Sequence, residues 1–292
     1  MDYTRFRFRA VVDWIELEIH TRTATTAKVI YRITGSQHHI FGLRPDTGIR
    51  LTRAVANQGT TIFRLRVQDP NRWQELETIM VSISRRHDLA CPPSVTAVEV
   101  ALDAYSRHGD APELAMLAAQ LFEGQTNHVS ANRRLYRDGT GSGRPVPLQR
   151  CQLVELLQGG HQIAIGNGRD DRYQHIYVKS TDTRQKQRVL LPTSEHRART
   201  EIRLTGEGLP CHALQDWREF RFECLSAKDG EGLFHYRSGC DGQTDLKALL
   251  NNLVTARAER RVRNRAGGGV IPPFSGVARS RVMQPWPAAV SG

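Results

Sequence analysis

The stretch Arg172-Tyr173-Gln174-His175-Ile176-Tyr177-Val178-Lys179 carries residue types that phosphoryl chemistry needs. Strand alternation puts Tyr173, His175, Tyr177 and Lys179 on one face, so that phenol, imidazole and ammonium groups stand in register. A free phenol ionises at about pH 10, so a tyrosine nucleophile working at neutral pH needs a nearby cation, metal ion or base. An amine or metal ion would also stabilise charge developing on an attacked phosphate. The plain alternative is a strand with the aromatic residues that sheets favour anyway.

Two further segments place carboxylates on strands. In Val98-Glu99-Val100-Ala101-Leu102-Asp103, the aliphatic residues Val98, Val100 and Leu102 share one face. Glu99, Ala101 and Asp103 share the other. The two acids lie roughly 13 Å apart at the usual rise, too far to ligate one ion directly together. One would be a metal ligand and the other a supporting or DNA-facing group, and a solvated sheet face is the simpler reading of this segment taken alone. In Arg199–Thr205, Ile202 and Leu204 point one way, Glu201 and Arg203 the other. By itself that strand reads as an exposed face with a weak salt bridge.

The elements that must position these residues follow from periodicity. Strands are expected at Val12–Ile19, where Ile15, Leu17 and Ile19 alternate with Glu16 and Glu18, and at Thr61–Val67. Asp69-Pro70 reads as a helix start, with Trp73, Leu76, Met80 and Ile83 as its apolar stripe and Arg85-Arg86-His87 at its end. A strand at Val95–Tyr105 and a helix at Ala111–Phe122 come next. Residues 137–147 read as a Gly/Pro-rich exposed loop. Strands at His161–Gly166 and Tyr173–Lys179, joined by a turn at 167–171, precede the one at Arg199–Thr205. This order predicts an α+β fold, a largely antiparallel sheet with helices packed on one face, and not a doubly wound parallel sheet. No GxGxxG or GxxxxGK[ST] run occurs, so the common nucleotide-binding folds are unsupported. A helix at Thr244–Arg260 and a disordered Arg/Gly/Pro-rich tail from Arg261 complete the expectation. The organisation is then a catalytic domain over 1–210, an extension over 211–260 and a flexible tail over 261–292.

Composition narrows the partners. The 292 residues carry 41 Lys plus Arg against 30 Asp plus Glu, a formal charge of +11. Such a balance suggests an anionic partner, most often nucleic acid. Only five of the cations are lysines, a bias that a GC-rich genome produces on its own, yet genome composition does not set the sign of the net charge. No run of 18 apolar residues exists, and MDYTRFRFRA has no signal-peptide character, so no membrane span or export is expected. The five cysteines (Cys91, Cys151, Cys211, Cys224, Cys240) are never in CxxC spacing, which fits a reducing cytoplasm and argues against a disulfide scaffold or structural zinc.

Taken in order, the segments VEVALDAY (98–105), HQIAIGNGRDDRYQHIYVK (161–179) and RTEIRLTG (199–206) resemble three motifs of one family. It comprises the rolling-circle replication initiators of staphylococcal tetracycline-resistance-type plasmids, with related phage initiators and integrative-element relaxases. Its motifs have the forms RLDLALDD, TxYxGSRxSxxxxRxYxK and RxExxLKG, and VDWIELEI (12–19) is similar to its first strand. The resemblance spans residues 12–206. It implies that Tyr177 is the nucleophile, with Lys179 and His175 beside it as catalytic groups, and that Glu99, Asp103 and Glu201, at the acidic motif positions, hold the metal ion. Such enzymes nick one DNA strand through a tyrosyl-phosphate bond with a divalent cation, and Mg²⁺ or Mn²⁺ suits carboxylate ligands. Arg169, Arg172 and Arg203 would hold DNA near the nick, and Arg257, Arg260, Arg261 and Arg263 would add salt-dependent grip along the backbone. The implied role is to start rolling-circle replication or transfer of a mobile element at a single-stranded or extruded origin. A host helicase and a second copy of the chain are the expected partners. The chain departs from the pattern at Ala104 in place of a second acid, at His175 in place of Arg, and at Asn167-Gly168 within the GSR turn. Those departures motivate a second reading, a non-catalytic origin- or operator-binding protein on the same scaffold. An RNA-binding module fits the charge but lacks the Gly-aromatic ribonucleoprotein motif.

Overall fold

The computed structural model describes residues 1–35, 39–51, 59–70, 73–125, 132–137, 140–184 and 187–219. The helix expected at 244–260, the tail from 261, and Arg257, Arg260, Arg261 and Arg263 lie outside the described residues. In chain order the strands are β1 (Phe6–Thr25), β2 (His39–Leu43), β3 (Thr60–Gln68), β4 (Ser94–Ser106), β5 (Arg133–Arg137) and β6 (Thr140–Pro145). Then come β7 (His161–Ile165), β8 (Arg172–Lys179), β9 (Thr181–Arg184), β10 (Gln187–Leu190) and β11 (Arg197–Thr205). The helices are α1 (Ala27–Thr34), α2 (Trp73–Ser84), α3 (Ala111–Glu123), α4 (Arg150–Gln158) and α5 (Leu214–Glu219). Nine strands form one antiparallel sheet, hydrogen-bonded in the order β2-β3-β1-β4-β11-β8-β7-β5-β6, while β9 and β10 make a separate hairpin. The α+β expectation is met. Among the described residues no helix is long and apolar enough to cross a membrane.

The described chain forms two compact units, one of residues 14–98 and 209–219, the other of residues 1–13 and 99–208. In the first, β1 pairs antiparallel with β3 through Trp14↔Gln68 to His20↔Ile62. Ile15, Leu17 and Ile19 are fully buried, as their alternation requires. Glu16 and Glu18 are not simply solvated. Glu16 is buried and bonds Arg66 at 2.9 Å, and Glu18 reaches Arg64, because β3 presents guanidiniums in the facing register. The helix foreseen from Asp69-Pro70 spans Trp73–Ser84, and Asp69 has a φ of 42° instead of the extended backbone of an N-cap.

The second unit carries the segments with chemistry. Its helix α3 starts as the sequence predicts, with Asp110 accepting from the Glu113 N–H and Pro112 in the first turn. Leu114, Leu117, Ala118 and Leu121 of α3, with Leu153 and Leu157 of α4, pack on one face of the sheet against Leu102, Ala104, Leu135, Ile163, Ile165, Ile176 and Ala198. Burying so many aliphatic side chains, at about 1.5–3 kcal/mol each, fastens the helices to this face and leaves the other face to polar residues. One expectation is corrected here: within the stretch read as a loop over 137–147, Thr140–Pro145 is strand β6, paired with β5 through Leu135↔Arg144. Gly143, with a φ of 63°, sits so close to the Tyr136 ring that a Cβ would meet it at 2.7 Å, so the glycine serves the hairpin.

Candidate active site

The strand registers line up the polar side chains on the face away from α3 and α4. Along β8 and β11 the cross-strand partners are Tyr173↔Arg203, His175↔Glu201, Tyr177↔Arg199 and Lys179↔Arg197. Each of these residues has the opposite parity to Ile176, Ala198 and the other side chains under the helices. On β4 the same alternation sends Leu102 and Ala104 to the helix side, and Glu99 and Asp103 to the polar side. Ala104 is fully buried in the core beneath the helices, so the missing second acid of the resemblance does not alter the polar face.

Two carboxylate groupings form there. Asp13, Glu99 and Glu201 bring one ligand oxygen each to within 4.8 Å of one another. Asp103 is not among them. Its two oxygens accept a bidentate pair from Arg199, Nε at 2.6 Å and Nη2 at 2.9 Å, and Arg197 Nε lies 3.3 Å away. The Arg199 and Asp103 side chains are only 3% and 2% exposed, so this pair is embedded in the sheet face. Burial alone would lower the Arg199 pKa, but the bonds and charge of Asp103, with Asp13, hold it above its usual value. The guanidinium therefore stays charged and ties the two groupings together: Nη1 donates to Asp13 at 2.8 Å and lies 3.7 Å from Glu201.

Tyr177 stands at the junction. Its hydroxyl donates to Glu201 Oε2 at 3.1 Å. Burial first, and then the negative charge of Glu201, push its pKa well above the ordinary tyrosine value, against the smaller pull of Arg199. The other Glu201 oxygen faces His175 Nδ1 at 3.5 Å, and His175 Nε2 is hydrogen-bonded to the Tyr173 hydroxyl at 2.7 Å. Lys179 does not reach Tyr177's oxygen partner; its ammonium lies 4.0 Å from Asp182.

No family model matches the chain, and no curated protein matches it. Solved structures do match, among them a rolling circle replication initiator protein from Geobacillus stearothermophilus, 11% identical, with a TM-score of 0.42 over 86% of this chain and 97% of that one.

Of the residues singled out in the sequence, the structure brings Glu99, Glu201, Tyr177 and His175 together on one patch. Asp103 supports that patch through Arg199 instead of joining it. Arg203 stacks over the Tyr173 ring at 5.0 Å and donates to the Gly168 carbonyl, so it braces the 167–171 turn. Arg169 is exposed on that turn, and Arg172 is half-buried, its pKa lowered by desolvation. Sequence reasoning missed Asp13 and Arg199. For Asp13 a signal existed, since a carboxylate stands there in the same parity as Ile15, Leu17 and Ile19. Arg199 stands at the Arg of the RxExxLKG pattern, but only the fold supplies the two aspartates it joins, from positions 13 and 103.

Proposed function

We propose that the protein nicks and rejoins a DNA strand, with the Tyr177 phenol as nucleophile, and so initiates rolling-circle replication or transfer of a mobile element. The observation that carries this reading is the Tyr177 hydroxyl bonded to Glu201 within a half-buried cluster of three carboxylates. In the step proposed, Tyr177 Oη attacks the phosphorus of one phosphodiester and its proton passes to Glu201 Oε2. The P–O bond to the deoxyribose breaks, and the departing oxygen takes a proton from solvent. The phosphotyrosyl bond keeps the energy of the broken ester, so the strand can be rejoined without another energy source.

The donor set fits a divalent cation. Asp13, Glu99 and Glu201 offer only hard oxygen atoms, and Asp103, the carboxylate beside them, is taken up by Arg199 and Arg197. Mg²⁺ or Mn²⁺ held there would polarise the phosphate and offset the charge that keeps the phenol protonated. Arg199 orients Asp13 by a direct bond, and Asp103 fixes Arg199 in turn. His175, wedged between Glu201 and Tyr173, limits the rotation of the Glu201 carboxylate and stands where the family pattern has Arg.

The test is incubation with Mg²⁺ or Mn²⁺ and a single-stranded oligonucleotide from the cognate origin, followed by denaturing electrophoresis. A covalent adduct with the wild type, absent in Tyr177→Phe, is expected. An equal adduct in Tyr177→Phe sinks the nucleophile assignment. Origin binding that survives EDTA without any nicking would favour the non-catalytic reading.

A further inference from the structure

One end of the same polar face is basic and aromatic. On β1, Arg7 and Arg9 share the parity of Asp13 and are both exposed. β1 and β4 are neighbours in the sheet, and the Arg107 N–H donates to the Arg5 carbonyl at 2.9 Å where they meet. That brings Tyr105 beside Arg7, whose guanidinium lies 4.9 Å from the ring centroid, while Arg197 lies 5.6 Å from it. Lys179 is the cross-strand partner of Arg197. Burial and then the charge of Asp103 push the Tyr105 phenol up, against the pull of Arg197 and Arg9. Beyond the carboxylates, toward the other end of β8 and β11, Arg203 stacks on Tyr173 in a similar arrangement.

We infer that the Arg7–Arg9–Tyr105–Arg197 cluster is a binding surface for single-stranded DNA, holding nucleotides to one side of the phosphate that Tyr177 attacks. Guanidiniums offer the phosphate contacts, and a half-buried ring flanked by them offers a stacking plane for an unpaired base. Bases of a duplex are stacked inside it and cannot lie on a ring set into a sheet face, which is why the partner is the single strand. The negative Asp13–Glu99–Glu201 group repels phosphates unless a cation covers it, so the basic end does the gripping and the acidic end does the chemistry. This inference rests on the DNA reading above.

The test separates the two. Anisotropy of fluorescein-labelled oligo(dT) with the full chain, titrated in EDTA at several salt concentrations, reads binding without cleavage. Arg7→Ala/Arg9→Ala removes two phosphate contacts. At roughly 0.7 of a counterion per contact, its log–log salt slope falls by about 1.4 and its affinity at about 0.1 M salt falls about 25-fold. Tyr105→Leu weakens binding by about fivefold or more. Arg85→Ala/Arg86→Ala, which removes equal charge from an exposed part of the other unit, changes affinity by less than about twofold. If the Arg7/Arg9 variant behaves like that control, or if duplex DNA binds as tightly as oligo(dT) and ignores Tyr105→Leu, the inference is overturned. Should the alanine pair lower thermal stability, Arg7→Lys/Arg9→Lys asks the same question. With the charges kept, wild-type salt slope and affinity in the lysine pair, beside an alanine pair that loses both, support the surface; equal losses in the two variants refute it. Nicking that fails while this surface survives would remove the enzymatic proposal alone.

Discussion

Asp103→Asn isolates the part of the site that only the fold assembles. The substitution keeps the side-chain shape but removes the charge facing Arg199, whose side chain is 3% exposed and whose Nε and Nη2 both bond Asp103. Arg197, at 3.3 Å, loses the same partner. Breaking one side of such a buried pair costs about 3–5 kcal/mol, because the remaining charge is left in the protein without compensation. Asp13 still bonds Arg199 at 2.8 Å, which puts the expectation toward the lower end. For a chain of this size about 3 kcal/mol is roughly a 6–12 °C drop in Tm. Urea denaturation followed by circular dichroism measures it directly, with the m value checked for constancy. Asp103→Leu/Arg199→Met should recover part of the loss, since the most deeply buried guanidinium goes with its partner and Asp13, with a side chain 23% exposed, still reaches water, while Arg197, 12% exposed, still lacks Asp103. A single-variant loss below about 1 kcal/mol, or strict additivity in the double variant, would refute the claim that the pair is the pivot of the site.

The remaining expectations are more local. Glu99→Gln weakens Mn²⁺ binding by about tenfold or more in calorimetric titration, since it removes one of three hard donors, and unchanged affinity would move the cation elsewhere. In EDTA, the wild-type minus Tyr177→Phe difference spectrum shows no phenolate at about pH 10, where a free phenol is half ionised, because burial and Glu201 hold the proton on. A difference signal already at that pH would contradict the Tyr177–Glu201 geometry. Cys211 has its thiol pushed up to about 11 by burial and Asp216. Alkylation at mildly alkaline pH should therefore run about a hundredfold slower there than at a free thiol, a difference mass spectrometry of peptides resolves. The sign for stability follows: the folded chain holds that proton more tightly than the unfolded one. Whatever Cys211 contributes is complete below about pH 9 and is lost toward about pH 11.

Much of the sheet was legible because its strands obey one period. β1, β3, β4, β7, β8 and β11 alternate cleanly or run apolar, and α3 announces itself with Asp110, Pro112 and Leu at helical spacing. The elements that escaped lacked such signals. α1 and α4 are short, β2 is five residues, and β6 lies in a Gly-rich run whose strand character depends on pairing with β5 and on the Tyr136 ring over Gly143. Local pattern cannot announce a strand whose only reason to be extended is its neighbour.

The sequence by itself determined which residues are able to do chemistry and which face of each strand they occupy. Period-two geometry puts Tyr177 and His175 on one face of their strand and exposes Glu99 and Glu201 on the polar faces of theirs, and the resemblance to the three motifs is what singles them out. Only the tertiary structure decided which carboxylates meet. Asp103 and Glu99 are four residues apart on one strand and so cannot converge, whereas Asp13, Glu99 and Glu201 come from three strands and do. Proximity across a sheet is set by strand order and register, both products of how α3 and α4 close over the opposite face. For the same reason Arg199 is in the sequence only the first residue of the third motif, and in the fold it bonds Asp13 and Asp103 at once.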